Sequence, residues 1–178
     1  EARQREEERA QTSQASQPQP FAPASPMQQA SKVEKMLIET VIRHGGEVIL
    51  PDVEDETSGQ HFDLNVAQYI AYDLAQDQLA FSDPLYNRIL AEAVEQSEKG
   101  PFDAGKYFRH HPDIEIQTLA ASMSTDAYQL SESLQMKESV ERLRDTVVHL
   151  VMDFRLDYIE HQLKVLQDRL KKALAIGI

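Results

Sequence analysis

From Leu134 to Ile176 the chain contains neither Gly nor Pro, and nearly every residue in the run favours helix. At about 1.5 Å per residue, a continuous helix of this length reaches roughly 60 Å, about twice the diameter of a small domain. One end of it must therefore extend past whatever core the other end joins. This single stretch restricts the fold to a helical body with a long C-terminal helix, kinked or folded back as a hairpin if not straight.

The apolar pattern inside the run changes phase. Val140, Leu143, Val147, Leu150 and Phe154 form one stripe with steps of three and four. Met152, Leu156, Ile159, Leu163, Leu166, Leu170 and Ala173 form a second, on a different face. The first half is expected to pack on a compact subdomain and the second to offer its stripe elsewhere, with a kink near the overlap as the alternative. Leu163, Leu166, Leu170 and Leu174 are bordered by Lys164, Gln167, Arg169, Lys171 and Lys172. That arrangement suits a helix-in-groove contact, in which apolar anchors supply affinity and charges orient. It equally suits an internal core face, but no later segment is long enough to cover it.

The upstream chain divides by composition. Residues 1–31 are a charge run followed by a Gln-, Ser-, Ala- and Pro-rich stretch, which reads as a disordered linker. Starting on Glu1, the sequence looks like a piece of a longer protein. Residues 32–133 read as an all-α subdomain of five short helices. Ser31 and Glu34 have capping-box spacing, followed by a stripe of Val33, Met36, Leu37, Thr40 and Val41 that ends at Gly45-Gly46 in a left-handed turn. Glu47 to Leu50 is a short extended piece, and Pro51 to Gly59 an acidic loop. A second helix starts at Asn65, with Val66, Tyr69, Ile70 and Leu74 inward. A third opens at Asp83-Pro84, carries Leu85, Ile89, Leu90 and Ala93, and closes at Gly100-Pro101. Asp103 and Asp113 cap two more, the latter with Ile114, Ile116, Leu119 and Met123. Residues 134–178 are the long helix.

Charge narrows the partners. The net charge is −12, and residues 32–133, with seven basic and nineteen acidic side chains, hold the equivalent of all of it. Residues 134–178 carry eight basic and seven acidic. Neither block is a surface for a phosphate backbone, so direct nucleic-acid binding is not expected. There is no Cys, which excludes disulfides, thiol catalysis and Cys-ligated zinc, and sits easily with a cytoplasmic protein. No membrane-spanning run and no secretory signal are apparent.

Few residues suggest chemistry. His149, Asp153, Asp157 and His161 recur every four positions like a metal-ligand ladder, but the row drifts about 40° per step and no matching Glu-x-x-His partner exists. An ordinary polar face is the simpler reading; a metal-dependent helical-bundle enzyme is the weaker one. Asp52, Glu54, Asp55, Glu56 and Asp63 lack the ligand order of a calcium loop. His110-His111 fit the C-terminal end of a short helix. Gly45-Gly46 is no phosphate loop, since no Lys-Ser/Thr follows. No catalytic residue, metal ligand or cofactor is assigned.

The order of these pieces resembles the C-terminal helicase-binding domain of bacterial replicative DNA primases of the DnaG type, in a Bacteroidetes-like version. The stretches that carry the resemblance are KMLIETVIRHGGEVI (35–49), LNVAQYIAYDLAQDQLAFSDPLYNRIL (64–90), GKYFRHHPDIEIQTLAASMS (105–124) and VVHLVMDFRLDYIEHQLKVLQ (147–167). It implies a helical bundle, a long helix and a terminal helical hairpin that docks on the N-terminal domain of the DnaB-type replicative helicase, recruiting primer synthesis to the replication fork. Zinc and magnesium belong, by the same resemblance, to upstream parts of the parent primase and not to this fragment. The helicase contacts then fall on Ile159, Leu163, Leu166 and Leu170 as anchors, with Lys164, Arg169 and Lys171 orienting them. Only LKKALAIGI remains at the end, with no clear turn before Gly177. The alternative is a self-associating helical regulatory or structural protein unrelated to replication.

Overall fold

The structure, a computed structural model, describes residues 30–131 and 140–177. Within them six helices and one hairpin follow in order: α1 (Lys32–His44), β1 (Val48–Glu54), β2 (His61–Asn65), α2 (Val66–Gln76), α3 (Pro84–Glu98), α4 (Ala104–Arg109), α5 (Ile114–Ser131) and α6 (Val140–Ala175). The fold is mainly helical, as the sequence indicates. The linker positions before Ala30, and the start of the long run from Leu134 to Ser139, lie outside the described residues.

α1 is the central element, packed against α2, α3, α4, α5 and α6. Leu37, Ile38, Val41 and Ile42 are fully buried, and around them gather Ile70, Ile89, Phe108, Ile116, Val147 and Val151 from the other five helices. This inward face differs from the stripe expected of the sequence, because Met36 is exposed and Ile38 and Ile42 are not. Glu34 explains the rotation. Ser31 Oγ accepts from the Glu34 amide at 3.2 Å, which is half of a capping box. The Glu34 carboxylate does not reach back; it accepts from Ser82 N at 2.8 Å and Ser82 Oγ at 2.6 Å. Both hydrogen bonds compensate its burial, so the helix turns that edge toward the α2–α3 loop. The complete capping box stands instead at Asn65 and Gln68, on α2.

Gly45 and Gly46 close α1 for a reason other than the expected left-handed turn. Gly45 has φ −51° and ψ −35°, ordinary right-handed helix values. A Cβ on Gly46 would lie 1.8 Å from the Phe102 carbonyl oxygen, and one on Gly45 would lie 2.4 Å from the Val41 carbonyl oxygen. The pair is required by close backbone approach.

The segment expected as an extended piece and loop forms an antiparallel hairpin, pairing Val48 with Asn65, Leu50 with Leu64, Val53 with Phe62 and Glu54 with His61. Its register shifts on either side of Leu50. Pro51 has no N–H to donate and Asp52 adopts φ 57°, so this stretch bulges out of the ladder. Asp83, with Pro84 at the first turn, and Asp103 cap α3 and α4 as their spacing predicts, and Asp113 accepts from Glu115 N at the start of α5.

α6 is one uninterrupted helix of 36 residues, about 54 Å long. Neither a break at the phase change nor a terminal hairpin appears among the described residues, since the helix continues past Gln167 to Ala175. Intrahelical hydrogen bonding through a Gly- and Pro-free run leaves no cause for a turn there.

Candidate docking face

The first half of α6 completes the core. Leu143, Val147, Leu150, Val151 and Phe154 are 0 to 7% exposed, and the helix packs on α1, α2 and β1. Phe154 is the last of them, meeting the Phe81 ring edge-on with centroids 5.5 Å apart. One residue on, Arg155 ties the helix to the body. Its guanidinium lies 3.0 Å from Asp73 Oδ2 and 2.8 Å from Asp77 Oδ2, and it donates to the Asp73 carbonyl at 3.0 Å. These groups sit at the C-terminal end of α2, where a cation also meets the negative end of the helix dipole.

From Met152 onward the outer apolar row is bare. Met152, Leu156, Ile159, Leu163, Leu166, Leu170 and Leu174 are between 53% and 66% exposed. Successive α-helical residues turn by about 100°, which sets this row roughly 160° around the axis from the buried one. It therefore faces away from the body, and the body cannot close over it. Lys164, Arg169 and Lys171 are all exposed on its two borders. The sequence-derived anchors Ile159, Leu163, Leu166 and Leu170 thus lie on one continuous outer face with these cations beside it. An exposed apolar row of this length, rimmed by charge, is the kind of surface on which proteins dock.

Where α6 leaves the body it forms one side of a cleft of about 410 Å³ lined by Glu34, Ala80, Ser82, Phe154, Asp157, Tyr158 and His161 among others. Glu34 is already hydrogen-bonded to Ser82 there. The ladder of His149, Asp153, Asp157 and His161 is not gathered into a ligand set. His149 Nδ1 lies 2.6 Å from the Asp145 carbonyl oxygen, and among the described residues no three His, Asp or Glu side chains are grouped to hold a metal.

The other charged clusters serve the body. Asp55 is held below the usual carboxylate range by the Ser58 hydroxyl and the Thr57 amide, Asp52 pairs with His61 at 2.8 Å, and Asp63 Oδ1 accepts from the Asp52 amide at 3.0 Å. His110 meets the Lys106 carbonyl at 2.8 Å at the end of α4, in keeping with its expected place there. His111 is buried: its Nδ1 accepts from Asp113 N at 3.0 Å, which leaves the ring proton on Nε2, 2.7 Å from Glu92. Arg88 bonds Asp113, and that contact, with the Glu115 amide, pulls the Asp113 carboxyl below its ordinary value.

Sequence reasoning missed Arg155 and read Glu34 only as a capping-box partner. Their partners stand 82 and 48 residues away, so no local pattern marks them. The one available hint was Asp73 and Asp77, four apart on a predicted helix and without a nearby cation. A family model described as a domain of unknown function (DUF8430) matches residues 19–176. No curated protein and no solved structure matches the chain.

Proposed function

The chain belongs to the DUF8430 family of domains of unknown function, and we propose that it is a non-catalytic module of a cytoplasmic DnaG-type DNA primase that binds the DnaB-type replicative helicase and brings primer synthesis to the fork. The observation that carries a docking role is the bare apolar row on α6, with Ile159, Leu163, Leu166 and Leu170 as anchors and Lys164, Arg169 and Lys171 beside them. The sequence resemblance over residues 35–167 supplies the partner. The acidic body, net −12 over residues 32–133, supports a protein partner over a nucleic acid. No described helix is long and apolar enough to cross a membrane.

In this reading α6 inserts its row between helices of the helicase N-terminal domain, the apolar side chains leave water, and the rim cations select an acidic border. No step of catalysis is assigned to the chain; primer synthesis belongs to the parent enzyme. Titration calorimetry against the helicase N-terminal domain tests this. A complex at micromolar concentration is expected, with Leu166→Asp and Leu170→Asp each weakening it about tenfold or more. Absence of a complex at tens of micromolar, or undiminished binding by both variants, overturns it.

A further inference from the structure

We infer that the outer face of α6 takes a second copy of this chain, the two helices running antiparallel. Two independent observations lead there. The first is spacing: Met152, Leu156, Ile159, Leu163, Leu166, Leu170 and Ala173 alternate steps of four and three without interruption, the seam of a coiled coil, and all but Ala173 are more than half exposed. The row starts at Met152, beside the body and opposite the buried face, so a partner helix lies along α6 without meeting its own body.

The second observation is charge, and it fixes direction. One flank of the row reads Asp153, Asp157 and Glu160 near the body, then Lys164 and Lys171 toward the far end. All five are exposed and none makes an ion pair among the described residues. In an antiparallel pair this flank meets the same flank of the partner, so each acidic stretch faces a basic one. A two-fold pairing that sets Leu163 against Leu166 and Ile159 against Leu170 brings Asp157 and Glu160 within two residues of the level of the partner's Lys171, and the two copies of Lys164 meet near the axis. The contact is self-complementary, as a two-fold interface requires. A parallel pair fails on both counts. It sets the flank with Lys164 and Lys171 beside the partner's Arg169 and Lys172, and it places two bodies of net −12 next to each other at the same end. The antiparallel arrangement holds those bodies at opposite ends of the helix pair.

Self-pairing covers Ile159, Leu163, Leu166 and Leu170, so a paired chain is closed to any other partner of that face. This consequence for recruitment rests on the helicase reading; the pairing does not, and it is tested without helicase. Sedimentation equilibrium on the 178-residue chain at low salt is expected to give a mass of two copies that falls toward one as salt rises. The absence of native Cys permits spin labelling of an Asp153→Cys variant at one site per chain. Antiparallel pairing places the two labels about 35 Å apart, from the helical rise between positions 153 and 176, and parallel pairing places them under about 20 Å apart. Glu160→Lys and Lys171→Glu singly weaken the dimer about threefold to tenfold, and together restore it to within about twofold. A monomer at several hundred micromolar, a short label distance, or a double variant weaker than either single variant overturns the inference. Helicase binding by a chain that stays monomeric would overturn the pairing and leave the docking reading in place.

Discussion

Two halves of one helix, built from the same kinds of residue, meet opposite fates. In the first half Leu143, Val147, Leu150, Val151 and Phe154 are buried to 7% exposure or less; in the second Leu156, Ile159, Leu163, Leu166, Leu170 and Leu174 stay more than half exposed. Composition does not separate them, and neither does helix propensity. What separates them is phase, because the second row has turned to the side that the body does not occupy. Arg155 stands at the change, fastening the helix to Asp73 and Asp77 just before it departs. Burial of an apolar row stabilises the fold, and a row left outside it contributes no such transfer free energy.

Thermal or urea unfolding of paired variants breaks or sharpens this contrast. Phe154→Ala, which opens a cavity against Phe81, is expected to destabilise the chain by about 3–5 kcal/mol. A cost under about 1 kcal/mol would mean that α6 is not integral to the core. Arg155→Met is expected to cost about 1 kcal/mol, discounted because Asp77 is well exposed to solvent. A larger effect on amide exchange in α6 beyond residue 155 than in α1 would locate its role at the point of departure. Leu166→Ala, deleting as much side chain as many core substitutions, is expected to change the stability of the monomer, measured at low concentration and high salt, by no more than about 0.5 kcal/mol, since Ala favours helix and no intramolecular contact is lost. If it cost as much as a core leucine there, the outer row would be buried within one chain.

The smallest effect concerns Asp113 in the body. Its folded carboxyl titrates below the ordinary 3.8, with Arg88 the main cause. Its contribution to stability is therefore complete above that value and is lost as pH falls through the lower, folded one. Carbon-13 titration should find the Asp113 midpoint below 3.8 and move it upward in Arg88→Met. An unshifted midpoint would remove the contact from the solution structure.

Legibility in the sequence followed the range of the interaction. The helix starts at Asn65, Asp83 and Asp103 rest on a side chain and an amide two or three residues apart, and spacing alone located them. The phase change in α6 was equally readable, because 3.6-residue periodicity is local. The inner face of α1 was not, since Ser82 decides it from 48 residues away. The hairpin was half seen: β1 carries Val48, Ile49, Leu50 and Val53, but Pro51 and four nearby acids disguise it, and its partner strand has only Phe62 and Leu64 as apolar members. For the candidate site, the apolar row and its flanking charges were visible, whereas its orientation opposite the body needed the packing of the first half. The identity of a partner is not contained in either; the helicase enters through resemblance alone.

The continuity of α6 has a mechanical consequence. A helix with no Gly, Pro or bulge across its departure point bends little, so the far face and the body share one orientation. Over roughly 50 Å, a rotation of about 5° at the held end sweeps the body by about 4 Å. A partner that gripped the leucine row would therefore aim the whole acidic body as a gun-layer aims a barrel, and Arg155, at the breech, would set how faithfully the aim is carried through.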